Sequence, residues 1–178
     1  QKSDGKFRED FYIEAVNFFD KERKEYREID NTLEECQGIG GLAYYQNRAN
    51  DFHVKLSKAK NSDKHMIIEK DGCRITFGFI GDNRIIANSG SAILQSGENQ
   101  NDAFGRTMAI NQELVYEEIL PDTDLKFSVK GDRVKDYIVI KSKKEIYEYT
   151  YRMKLENLRM QIADGSDSLE FISLINGE

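Results

Sequence analysis

The chain is predicted to be all-β, a β-sandwich of about a dozen antiparallel strands with little helix. Three observations carry this. Apolar and polar residues alternate with period two in several separate stretches, the pattern of a strand with one buried face. Glycine-containing turn pairs, Asp71-Gly72 and Gly131-Asp132, stand between apolar runs, where glycine supplies the positive φ of a tight hairpin. Apart from Asp10 to Leu33, no segment favours helical spacing.

The stretch from Leu114 to Ser142 organises the rest. Leu125, Phe127 and Val129 alternate with Lys126, Ser128 and Lys130. After the Gly131-Asp132 turn come Tyr137, Ile138, Val139 and Ile140, an apolar run suited to a strand covered on both faces. Pro121, the single proline, cannot donate to a ladder and marks a corner.

The N-terminal side is read in order. Residues 1–9 are polar and expected to form a disordered N-terminal tail; residues 10–178 form one β-sandwich domain, a fragment of a larger protein. Asp10 to Leu33 reads two ways. Phe11, Ala15, Phe18, Phe19, Tyr26, Ile29 and Leu33 lie near helical spacing. The rival is a strand through Tyr12 to Phe19, a charged turn over Asp20 to Glu25 and a strand from Tyr26 to Ile29. Gln37 to Gly41 is a turn, and it lacks the pattern of a phosphate loop. Leu42 to Asn47 is a short strand. Phe52, Val54 and Leu56 alternate with His53, Lys55 and Ser57. His65 to Lys70 and Cys73 to Phe79 form a hairpin about Asp71-Gly72, and Gly81-Asp82-Asn83 makes another turn.

Asn88 to Asn111 is rich in Gly, Ser, Asn and Gln and is expected to be the most mobile internal loop, contributing least to the core. Glu145 to Asp164 is the longest strand candidate. Tyr147, Tyr149, Tyr151, Met153 and Leu155 share one phase. Leu158, Met160 and Ile162 take the other, which places a bulge or bend at Glu156-Asn157. Asp164 to Asp167 turns the chain into a strand from Leu169 to Leu174. The expected core is Phe52, Val54, Leu56, Ile75, Phe77, Leu125, Phe127, Ile138, Ile140, Tyr149, Tyr151 and Leu155.

Composition narrows the function classes. The 178 residues carry a net charge of −6 and contain ten Phe, nine Tyr and no Trp. An acidic surface repels phosphate backbones, so nucleic acid is not expected as a partner. No basic cluster suits a membrane surface, and no run of apolar residues is long enough to span one. Cys36 and Cys73 show no CxxC spacing, so no zinc site is expected. Whether they form a disulfide or two buried thiols stays open. Asp122, Asp124 and Asp132 offer calcium-type oxygens but read better as turn and strand-start residues. His53 and His65 have no motif linking them to a nucleophile and are expected to face solvent. No catalytic residue and no cofactor or metal is expected. Tyr44 and Tyr45, beside Gln46 and Asn47, are the candidates for stacking on a sugar, and only one of the two can do so because neighbours on a strand point to opposite faces.

Three stretches together resemble one family. Tyr26 to Leu33 contains Ile29-Asp30-Asn31-Thr32-Leu33. Asn47 to Lys58 contains Asn47-Arg48-Ala49-Asn50-Asp51-Phe52, and Lys70-Asp71-Gly72 follows. Tyr116 to Ser142 contains Pro121-Asp122-Thr123-Asp124-Leu125 and Val134 to Ser142. In the same order, these resemble segments of the region before the repeats in large secreted Rhs/YD-repeat proteins of Gram-positive bacteria, the WapA-like, teneurin-related polymorphic toxins. The family usually has tryptophan where Tyr26 stands and glycine where Lys21 to Lys24 stand. The resemblance favours two strands over a helix in Asp10 to Leu33. It implies a non-enzymatic structural or interaction module of a secreted, cell-wall-associated protein. The implied partners are the rest of the same polypeptide or a cell-wall glycan; the alternative role is a carbohydrate-binding module.

Overall fold

The computed structural model describes residues 15–38, 41–80, 90–96, 100–101, 107–108, 111–143, 145 and 147–175. The expected tail, residues 1–9, and the turn at Gly81-Asp82-Asn83 lie outside them. Among the described residues there are sixteen strands and no α-helix, so the all-β class holds with more and shorter strands than expected.

The strands β1 (Asn17–Asp20) and β2 (Glu25–Glu28) form a hairpin. The described part of Asp10 to Leu33 is therefore strand and turn, because Asp20 caps the turn. Its Oδ1 accepts the N–H groups of Glu22 and Arg23 at 3.1 and 3.0 Å. Next come β3 (Asp30–Gln37), β4 (Ala43–Ala49), β5 (His53–Ser57), β6 (Met66–Lys70) and β7 (Cys73–Ile80), consecutive strands from β3 to β7 pairing antiparallel. They are followed by β8 (Ile93–Ser96), the two-residue β9 (Gln100–Asn101) and β10 (Thr107–Met108), then β11 (Asn111–Leu120), β12 (Thr123–Lys130) and β13 (Arg133–Ile140). The chain ends in β14 (Thr150–Glu156), β15 (Leu158–Ile162) and β16 (Leu169–Ser173).

Two larger sheets result. One has six strands in the order β14-β7-β6-β5-β4-β3, the other four in the order β13-β12-β11-β8. A single apolar cluster draws on both: Leu33, Val54, Leu56, Met66 and Phe79 from the first, Leu114, Tyr116, Leu125, Phe127 and Val129 from the second. Gly78 marks close approach. A Cβ there would lie 2.1 Å from the carbonyl oxygen of Asp63, so only glycine lets the loop before β6 lie on β7. At the β6–β7 turn, Asp71 and Gly72 have φ of 49° and 76°, the left-handed pair of a tight hairpin.

Several expectations change. Tyr137, Val139 and Ile140 are 41–43% exposed because β13 is an edge strand, not one covered on both faces. Ile140 thus leaves the core, Ile75 and Leu155 are only partly buried and stand outside its cluster, and Leu33, Met66, Phe79, Leu114, Tyr116 and Ile119 enter it. Within Asn88 to Asn111, Ala92 is buried, Leu94 packs against the core and β8 pairs with β11. That described part is built into the sheet. The strand expected from Glu145 begins only at Thr150, which leaves Tyr147 exposed. The expected bend is at Asn157, whose φ is 58°.

Candidate functional site

Three buried asparagines meet a turn of the second sheet. Asn31 lies on β3, Asn47 on β4 and Asn50 in the turn from β4 to β5, all three buried. Asn31 Nδ2 and Asn50 Nδ2 both donate to the carbonyl of Gly131, at 3.0 and 2.8 Å. Gly131 lies between β12 and β13, in the other sheet. Asn50 Nδ2 also donates to Asn31 Oδ1 at 3.0 Å, so both its protons are engaged. Asn47 Nδ2 donates to the Phe52 carbonyl at 3.1 Å, and its Oδ1 accepts the Val54 N–H at 2.9 Å. These bonds make a polar clasp between the sheets at one end of the core. In the sequence Gly131 reads as a turn glycine and the three asparagines as polar residues with no assigned contact. Buried asparagines on one sheet, tied to a turn of the other, leave no periodic signal.

A cleft of about 1100 Å³ opens between the β1–β2 hairpin and the six-stranded sheet, lined in part by Phe18, Asp20, Arg27, Asn50, His53 and Arg74. Most of its charges are paired. Arg27 binds Asp20 at 2.9 Å, Lys21 binds Asp71 at 2.6 Å, and Lys70 binds Asp51. Cross-strand pairs continue over the sheet from Lys55 to Glu69 at 2.7 Å, Glu69 to Arg74 at 2.6 Å and Arg74 to Glu156 at 2.9 Å. The Arg23 N–H and the Arg27 guanidinium hold the Asp20 carboxyl below its ordinary range. Burial alone would raise Glu69, but Lys55 and Arg74 outweigh it and hold it low. Lys154, then Arg74, holds Glu156 low. Carboxylates so stabilised stay charged at neutral pH and are poor proton donors to a leaving group.

Tyr44 and Tyr45 point to opposite faces, as β4 requires. Tyr44 is only 3% exposed, its ring lying under Gly38, and burial pushes its phenol up. Tyr45 is half-buried against the core with Lys58 Nζ 5.1 Å over its ring. The open aromatic surface lies elsewhere. Tyr26 is 78% exposed and meets Phe19 edge-on at 5.3 Å, on the hairpin that borders the cleft.

The other candidates separate. Asp122 and Asp124 sit at one end of the β12–β13 hairpin and Asp132 at the other, so they form no common site. Asp124 binds Lys141 at 2.7 Å. His53 is exposed, as expected, but His65 is fully buried. Its Nδ1 accepts the Phe79 N–H at 3.1 Å, and its Nε2 donates to the Lys60 carbonyl at 3.0 Å. His65 pins the loop before β6 to β7, a role its sequence neighbourhood does not advertise. Cys36 and Cys73 are free, half-buried thiols.

Fold and clasp define an all-β protein whose two main sheets are tied by buried amides. Beyond that class the comparisons add no relative: no family model, no curated protein and no solved structure matches the chain.

Proposed function

We propose that the chain is a non-enzymatic structural module of a secreted, cell-wall-associated protein of the Rhs/YD-repeat kind, with the rest of the same polypeptide as its partner. One observation supports this most. Residues from all three stretches that carry the resemblance converge on the Asn31–Asn50–Gly131 clasp, an internal tie. The shared residues thus serve architecture, which suits a scaffold. The paired carboxylates of the cleft fit the same reading. The test is to read the coding sequence that flanks this chain. A secretion leader upstream and YD repeats downstream are expected; a stop directly after Glu178 would overturn the proposal.

The Phe19–Tyr26 pair favours a second reading, a carbohydrate-binding module. An exposed ring beside a polar cleft is the arrangement a sugar face needs. In that reading Phe19 and Tyr26 take the role first expected of Tyr44 and Tyr45. Retention of the domain on cell-wall polysaccharide, lost in Tyr26→Ala with an unchanged melting temperature, would establish it. Absence of retention across a panel of wall glycans would remove it.

A further inference from the structure

Two surfaces pair with no other strand among the described residues, and they differ in charge. The first is the β13 edge. Lys141 N–H donates to the Asp122 carbonyl at 2.9 Å, and the β12–β13 register runs unbroken to Lys130↔Arg133. Antiparallel neighbours alternate between pairs that exchange both backbone bonds and pairs that exchange none. Arg133, Lys135, Tyr137 and Val139 therefore bond to β12. Val134, Asp136, Ile138 and Ile140 turn their N–H and C=O groups to the open side. The strand has eight residues and no proline, glycine or bulge to blunt it. Its one inward charge, Asp136, is held by the Tyr151 hydroxyl at 2.9 Å. From Lys130 to Lys143 the described chain carries Lys130, Arg133, Lys135, Lys141 and Lys143 against Asp132 and Asp136, in a protein of net charge −6.

The second surface is the β15–β16 hairpin, which pairs with no other strand among the described residues. Its register places Leu158, Met160, Ile162, Leu169 and Phe171 on one face. Met160, Ile162 and Leu169 are 50%, 71% and 48% exposed. Asp164, Asp167 and Glu170 make the hairpin acidic, with Arg159 as its cation. Two β13 edges do not suit each other. An antiparallel pair centred on Tyr137 sets Arg133 opposite Lys141, one centred on Ile138 sets Lys135 opposite Lys141, and one centred on Asp136 sets that carboxylate against itself.

We propose that the β15–β16 hairpin of a second copy of this chain adds to the β13 edge, head to tail. With Leu169 and Phe171 continuing the face of Ile138 and Ile140, Glu170 falls on the face of Lys135. The backbone ladder supplies adhesion, and the opposite charges set which strand is accepted. The two surfaces differ, so addition can repeat from copy to copy, closing into a ring where the rotation between copies allows and running on as an open chain where it does not. This inference does not rest on the wall-associated reading.

Sedimentation velocity on the chain tests it. Association that grows with protein concentration and weakens as salt is raised is expected. Ile140→Pro removes an open-edge donor without breaking a bond to β12. The double variant Ile162→Lys, Leu169→Lys spoils the hairpin face. Each variant is expected to be monomeric alone, yet an equimolar mixture should form a one-to-one complex through the surface each retains. A wild-type chain that stays monomeric overturns the proposal. So does a hairpin variant that still self-associates, or a mixture that does not. Should Ile140→Pro fail to fold, Lys135→Glu must weaken association and Glu170→Lys in the partner copy must restore it.

Discussion

At the scale of single residues, His65 and two tyrosines show how burial acts through hydrogen bonds. Burial pushes the His65 imidazole below its ordinary pKa; the Lys60 carbonyl and Asp63 pull the other way but lose. A proton on Nδ1 would displace the Phe79 N–H that donates there. In the unfolded chain the ring takes its proton near pH ~6.5. Below that point the unfolded state binds a proton that the native state refuses, so stability falls as pH falls. Thermal melts should be flat from about pH 8 to 7 and should decline below about 6.5. His65→Gln should remove the decline in that window, whatever it does to the baseline. The Tyr116 hydroxyl donates to the Ser57 carbonyl at 2.6 Å. Tyr116→Phe should therefore cost about 1–2 kcal/mol. The Tyr149 hydroxyl is buried without a hydrogen-bond partner among the described residues. Tyr149→Phe should be neutral or stabilise by up to ~1 kcal/mol in urea titrations, because no bond is lost and a desolvated group is removed.

At the scale of elements, the clasp and the turns decide how strands are held. Asn31→Ala or Asn50→Ala should each cost about 1–3 kcal/mol, since each leaves buried polar atoms with fewer partners. Their double-mutant cycle should show coupling, because both side chains serve the Gly131 carbonyl and bond each other. Additive losses would show that the two amides act separately. Two glycines make a second comparison. Gly72→Ala meets a left-handed backbone and the flexible end of Ile175, and should cost about 1 kcal/mol. Gly78→Ala drives a methyl into the backbone of Asp63, which cannot swing aside as a side chain does. It should cost about 2–3 kcal/mol, and equal midpoints for the two variants would contradict the close approach.

At the scale of the whole molecule, one apolar cluster and one polar clasp join the two larger sheets. They should unfold together. Far-UV circular dichroism and near-UV tyrosine signals are expected to give coincident urea transitions. Separate midpoints would mean that each sheet is a unit of its own. The β15–β16 hairpin stands outside this cluster, held by Asn157 Nδ2 on the Gly72 carbonyl at 3.0 Å. Its amides should exchange with solvent faster than those of β11 and β12.

Local patterns determined the strand content, several turns and the bend at Asn157, because period two, turn chemistry and a phase change are written in adjacent residues. The alternation of Leu125, Phe127 and Val129 correctly identified a buried face. Only the tertiary structure decided which faces and edges are covered. Tyr137 to Ile140 has the composition of a central strand, yet it lies at an edge because no strand among the described residues pairs beyond it. Tyr44 sits beside a glycine turn, yet Gly38 lies against its ring. His65 has polar and charged residues before it, yet it is buried between Phe79 and Tyr116. Asn31, Asn47 and Asn50 are scattered polar residues in sequence and become a clasp only when Gly131 arrives from the other sheet. Alternation tells which residues share a face. What meets that face depends on strand order and on partners many residues away, and a sequence window does not contain them.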